Sequence, residues 1–188
     1  MSIATGRGCL SSLDRLLWEL VEIPSINPSL ECKYADFTGE ERIAQFLEGK
    51  ANSSGIEYRR MKVLPGRENL VIRLKPSGKI KNKVMLTPHM DVVPATPDAF
   101  IPKIKNRCLF GRGACDTKGS IASFFHAFLR LSKETNRPKN TEINFVGLVD
   151  EEFGQAGSRL LAQKGPKADL AIAGEPTNLN VVSAHKGN

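Results

Sequence analysis

The chain has 188 residues, 40% hydrophobic and 25% charged, a balance that excludes a disordered chain and allows one generous domain without disulfide support. Lys and Arg number 27 against 20 Asp and Glu, a net charge of +7 spread evenly enough to be a solvated basic surface. Aromatics are only 6%, which argues against a base-stacking platform for nucleic acid, and no run of about 18 apolar residues is present to cross a membrane.

The N-terminus is polar and glycine-rich, with the single Arg7 ahead of Leu10, and lacks the apolar core of a secretory signal. Cys9, Cys32, Cys108 and Cys115 show no CxxC spacing, so free thiols in a reducing, cytoplasmic setting are expected. Ser11-Ser12 precede a helical pattern at Leu13, Leu16, Leu17, Leu20 and Val21, which Pro24 stops. Residues 24–37 form a loop. Thr38-Gly39-Glu40-Glu41 has the form of a capping box, and the helix it opens carries Ile43, Phe46 and Leu47 on one face. Strands are expected at 56–63, 69–75 and 83–87, with a turn at Pro76-Ser77-Gly78-Lys79.

Residues 92–115 hold Pro94, Pro97 and Pro102 and form a long ordered loop with short strands, a length that usually signals function. A helix starts near Thr117, its apolar face made by Ile121, Phe124, Phe125, Phe128 and Leu129. A largely apolar run at 143–149 has the character of a strand covered on both faces. A short helix (158–164) and a further apolar run (170–173) follow. Strands alternating with helices give an α/β class: a three-layer sandwich around a mixed, mostly parallel sheet.

The chemistry-bearing residues share one kind of position, at or just beyond the C-terminal ends of these strands. His89 and Asp91 follow 83–87, Asp150-Glu151-Glu152 follow 143–149, and Glu175 follows 170–173; Asp116 opens a helix. Ligands of α/β sheets bind outside those strand ends. Taken singly, Asp116 could be a helix cap, His89 a structural histidine and the acidic triplet a solvated loop. Converged, the carboxylates would repel one another and raise each other's pKa, and a divalent cation is the economical counter-charge. Imidazole with carboxylates and no thiolate suits Zn2+, Co2+ or Mn2+. Asp91, two residues from His89, can orient the imidazole. There are more carboxylates than one ion needs, which points to two ions sharing a bridging Asp, with one carboxylate left as general base.

Four ordered motifs carry a resemblance: His89-Met90-Asp91-Val92-Val93-Pro94, Gly111-Arg112-Gly113-Ala114-Cys115-Asp116-Thr117-Lys118-Gly119, Asp150-Glu151-Glu152-Phe153-Gly154 and Gly174-Glu175-Pro176-Thr177. Together they resemble the family of acetylornithine deacetylase, succinyl-diaminopimelate desuccinylase, aminoacylase and carboxypeptidase G2, dinuclear zinc amidohydrolases. The resemblance runs from about Leu13 to the last residue, with the closest likeness to the first two members. It implies that His89 and Glu175 hold one zinc, Asp116 bridges, Glu152 holds the other, Glu151 is the general base, and Asp91 supports His89. It implies hydrolysis of an N-acylated amino acid or short peptide, as in amino-acid and arginine biosynthesis, with no nucleic-acid or membrane partner.

Two departures are visible. Residue 88 is Pro where the family commonly carries Gly. Family members also run to about twice this length, so residues 1–188 are expected to be the N-terminal part of the catalytic domain. The lid or dimerisation domain, and the C-terminal segment that brings a second histidine ligand in that family, are expected to lie outside residues 1–188. His126 and His185 are not expected to substitute. One metal or none, weak hydrolysis and self-association through uncovered surface are then expected. The alternative is a non-catalytic paralogue serving as a metal-binding or assembly module.

Overall fold

A computed structural model describes residues 10–178 and residue 180. Helix α1 (Ser12–Val21) is capped by Ser11, whose Oγ accepts from the Asp14 amide at 3.1 Å, and it buries Leu16, Leu20 and Val21. Helix α2 spans Glu41–Ser53, but the expected capping box is not formed. The Thr38 hydroxyl donates to the Ala35 carbonyl, Glu40 turns inward to Arg67, and Glu41 pairs with Arg60. Tertiary ion pairs have recruited the side chains that the local motif would have used.

Strands β1 (Glu57–Leu64) and β2 (Arg67–Leu74) form a hairpin through Pro65-Gly66, where Gly66 takes a positive φ of 70°. Strand β3 (Asn82–Thr87) follows. Within the long 92–115 segment, β4 (Lys103–Lys105) and β5 (Cys108–Phe110) make a small hairpin, turned by Asn106 and Arg107, both at positive φ. Then come α3 (Lys118–Lys133), β6 (Thr141–Gly147), α4 (Ala156–Lys164) and β7 (Leu170–Ala173). The sheet order is β1-β2-β6-β3-β7. It is mixed, as expected: β1/β2 and β2/β6 are antiparallel, and β6/β3 and β3/β7 parallel.

Helices α1, α2 and α3 cover one face. Leu20, Ile43, Leu47, Ile121 and Phe125 pack there on Leu70, Ile72 and Phe145. Phe125 and Phe145 meet edge to face with ring centroids 5.2 Å apart. A buried side chain of this size contributes about 1.5–3 kcal/mol through burial, so this layer dominates the stability. On the opposite face α4 sets Leu161 against Met61, Val71, Met85 and Val146, completing three layers. Strand β7 lies at the sheet edge with Leu170 and Ile172 exposed.

The architecture puts the C-terminal ends of the parallel trio β6, β3 and β7 side by side. Beyond β3, the chain keeps its pairing: the Leu148 amide donates to the Pro88 carbonyl (2.9 Å) and the Met90 amide to the Leu148 carbonyl (2.8 Å). Proline is tolerated at residue 88 because the ladder needs only its carbonyl there. His89 therefore enters the site from a rigid strand extension.

Candidate metal centre

His89 is 1% exposed, and its imidazole has a fixed sense. Nδ1 lies 2.9 Å from the Asp91 backbone carbonyl, which can only accept, so Nδ1 carries hydrogen and Nε2 faces the cluster. Around Nε2 stand Asp116 Oδ1 at 3.0 Å, Glu151 Oε2 at 3.8 Å and Glu175 Oε1 at 3.9 Å. Two sets of ligand atoms lie within 4.8 Å of one another: His89, Asp116 and Glu175, and His89, Glu151 and Glu152. Asp116 and Glu175 are 52% and 42% exposed, so the cluster is walled by the sheet on one side and open to solvent on the other.

Each loop is fixed by identifiable contacts. Thr117 donates through its hydroxyl to the Gly174 carbonyl, tying the start of α3 to the end of β7 and so Asp116 to Glu175. The Asp116–Thr117 peptide is cis. Lys118 is 1% exposed, and its Nζ donates to the Ile23 carbonyl at 2.7 Å, which anchors the same turn from beneath. Asp91 is fully buried. Its carboxylate accepts from the Glu151 amide (3.1 Å), the Glu152 amide (3.0 Å) and Asn27 Nδ2 (2.7 Å), while Oδ1 stands 3.6 Å from His89 Nδ1. Asp91 thus touches His89 chiefly through its backbone carbonyl and spends its carboxylate on the turn that presents Glu151 and Glu152.

The electrostatics record crowded negative charge. Burial first, then the charges of Asp116 and Asp91, pushes Glu152 up to about 7. Glu175 is also raised, by burial first and then by Glu151, Asp116 and Asp91, with His89 pulling the other way. Burial would lower His89, but its hydrogen bonds to Asp116 and Asp91 and the surrounding carboxylates outweigh that and raise it to about 11. Asp91 is held below its ordinary range despite burial, by His89 and by the two amides it accepts from. Beyond burial, these shifts share one physical cause, negative charge concentrated around a single imidazole. Nitrogen and oxygen donors with excess negative charge are the chemistry that a divalent transition ion satisfies.

His89, Asp91, Asp116, Glu151, Glu152 and Glu175 all come together at the strand ends. Asp150 does not join them: it takes a left-handed φ of 66° and turns its carboxylate inward to Arg67 and Asn27. His126 lines a surface hollow with Ser12, Leu16 and Lys50, away from the cluster. His185 and Cys9 lie outside the described residues; Cys32, Cys108 and Cys115 are free thiols. Among the described residues His89 is the one imidazole at the cluster. Sequence reasoning missed Asn27, Glu40, Arg67 and Asn69, which brace the site from behind. The available signal was Arg67 and Asn69, polar residues on alternate positions at the start of β2, just ahead of the apolar Leu70-Val71-Ile72.

Such a fold is shared with known hydrolases. Residues 85–185 match the model of Peptidase family M20/M25/M40, and the chain belongs to that family, whose enzymes are metal-dependent hydrolases, typically with two zinc ions. It is 35% identical over 153 residues to acetylornithine deacetylase of Myxococcus xanthus, covering 77% of this chain and 39% of that protein. It is 31% identical over 182 residues to a Staphylococcus epidermidis protein named "Probable succinyl-diaminopimelate desuccinylase", covering 93% and 42%. Its fold matches the M20 family metallo-carboxypeptidase Sso-CP2 of Sulfolobus solfataricus with a TM-score of 0.70 at 22% identity, over 88% of this chain and 37% of that one. The chain spans about two fifths of the length of these relatives. Among the described residues, no helix is long and apolar enough to cross a membrane.

Proposed function

We propose that this chain carries the metal-holding, water-activating part of an amidohydrolase that cleaves an N-acylated amino acid or short peptide. The carrying observation is the convergence of His89 Nε2 with the carboxylates of Asp116, Glu151, Glu152 and Glu175 on the open side of the sheet. In this assignment His89, Asp116 and Glu175 hold one ion. Asp116 is shared, and Glu152 belongs to a second ion. Zn2+, Co2+ or Mn2+ bound there would polarise the acyl oxygen and acidify water.

The remaining chemistry belongs to the chain. Glu151 takes the proton of the attacking water and delivers it to the departing amine nitrogen. Asp91 keeps the turn bearing Glu151 in place and holds His89 Nδ1 hydrogenated, so that Nε2 presents its lone pair. Two of the relatives, acetylornithine deacetylase and the desuccinylase, favour a small acylated amino acid and a cytoplasmic biosynthetic setting. The second ion position draws only carboxylates from the described residues, so one ion is expected to bind well to this chain and turnover to be weak.

Metal analysis after dialysis tests the assignment, coupled with assays on N-acetylornithine and N-succinyl-diaminopimelate. One tightly retained ion with slow turnover supports it. No retained ion refutes the metal assignment. Turnover undiminished in a Glu151→Gln variant refutes the base assignment.

A further inference from the structure

We infer that Arg67 is a positioning residue of the metal centre, fixing the 149–152 turn so that Glu151 and Glu152 stand at the height of His89. Its guanidinium is 8% exposed and spans two buried carboxylates. Nε and Nη2 engage Glu40, the former at 3.1 Å, and Nη1 donates to Asp150 Oδ1 at 3.0 Å. Glu40 in turn accepts from the Asp150 amide at 3.2 Å, so one ion pair grips the backbone and the side chain of the same residue. That residue sits at a left-handed φ of 66°, a conformation uncommon outside glycine, and the Glu40–Arg67 pair holds it there.

The grip passes directly to the site. Asp150 Oδ1 also accepts from Asn27 Nδ2 at 3.2 Å, and the same Nδ2 donates to Asp91 Oδ2 at 2.7 Å. Asp91 then accepts the amides of Glu151 and Glu152. A closed ring of buried hydrogen bonds therefore sets the two glutamates, with Arg67 as its cation. Burial would make Arg67 easier to deprotonate, but Glu40 and Asp150 outweigh that and keep it charged. A guanidinium is required geometrically: a lysine ammonium is a point charge that cannot present parallel donors to Glu40 while reaching Asp150.

The consequence for metal rests on the proposed metal centre, whereas the geometry does not. Two readouts separate them, both on the full 188-residue chain. Co2+ affinity and its visible absorption band report the ligand geometry. Amide hydrogen exchange at Glu151 and Glu152, measured without metal, reports the turn alone. Arg67→Lys is expected to weaken Co2+ binding at least about tenfold, alter the band, and lower protection of those two amides about tenfold relative to Ile72 in the sheet. Leu47→Ala, which loosens the helical layer without touching the ring, is the control and should leave Co2+ affinity within about twofold.

Should Arg67→Lys fail to fold, the isosteric Glu40→Gln variant carries the same readouts, and its amides are expected to lose protection in the same direction. Unchanged exchange at Glu151 and Glu152 in the folded variant overturns the inference, as does equal Co2+ loss in Leu47→Ala. If the parent chain binds no Co2+, the metal assignment fails on its own and the exchange measurement still decides the role of Arg67.

Discussion

Loading the cluster with Co2+ should expel protons, in a number that depends on pH. In the metal-free chain His89 is raised to about 11 and Glu152 to about 7. Both must be unprotonated to act as ligands. At pH 8 His89 holds about one proton and Glu152 about 0.1; at pH 6 they hold about one and about 0.9. Ligation by His89 releases about one proton at either pH, a second ion ligated by Glu152 would add about 0.1 at pH 8 and about 0.9 at pH 6, and affinity rises with pH in both cases. Glu175, also raised, adds in the same direction at lower pH. Isothermal titration calorimetry in buffers of different ionisation enthalpy counts the protons directly. A heat independent of buffer, with a Kd that does not change from pH 6 to pH 8, would refute the idea that an imidazolium stands in for the ion. The same shift has a stability consequence. The folded pKa of His89 lies above its ordinary value of 6.5, so its stabilisation of the metal-free chain is full below about 6.5 and is lost as pH rises through about 11.

Three further outcomes follow from packing and burial. Phe125→Ala removes a ring buried between Phe128 and Phe145 and should cost about 3–5 kcal/mol, read as a lower urea midpoint. Burial, with Arg42 nearby, lowers Lys118 to about 7 from 10.5, so the unfolded chain binds more protons across that window and the lysine's destabilisation fades as pH rises. Lys118→Met should therefore gain relative to the parent at pH 6 over pH 9, by roughly 2–3 kcal/mol; equal differences in urea midpoint at the two pH values would refute the charged-burial argument. In Gly157→Ala a Cβ would stand 2.3 Å from the Val149 carbonyl oxygen and 2.6 Å from Asn69 Oδ1, so destabilisation of about 1–3 kcal/mol is expected in thermal melts.

The elements were legible because their signals are local. The helical spacing of Ile121, Phe125 and Phe128, and the apolar runs that became β3, β6 and β7, depend on a side chain's own neighbours in sequence. The site residues were legible for a related reason: strand-end positions in an α/β sheet converge whatever the loops do. What failed is tertiary. Thr38 and Glu41 have the spacing of a capping box, yet Thr38 turns to the Ala35 carbonyl, and Arg60, from a strand further along the chain, takes the Glu41 carboxylate as Arg67 takes that of Glu40. Asp150 is an acid like Glu151 and Glu152 beside it, and a left-handed backbone turn sends it inward. Asn27 lies in a proline-flanked loop with no periodicity, and its contact with Asp91 spans 64 residues.

The positive net charge of the chain also takes on a different meaning at the site. Averaged over the surface, +7 favours anionic partners. Locally the sign is reversed: Asp91, Asp116, Glu151, Glu152 and Glu175 surround a single imidazole. Screening at physiological salt extends only about 8 Å, so a ligand entering the cluster feels these carboxylates and little of the distant lysines. An acylated amino acid of net negative charge would be repelled from the metal-free cluster, whereas a divalent cation would be drawn in. Cation must then bind before substrate. Adding N-succinyl-diaminopimelate, which is net negative, to the metal-free chain should give no saturable signal, and the same titration after Co2+ loading should perturb the Co2+ absorption band. Binding of equal strength without the cation would show that the global charge, and not the local cluster, governs recognition.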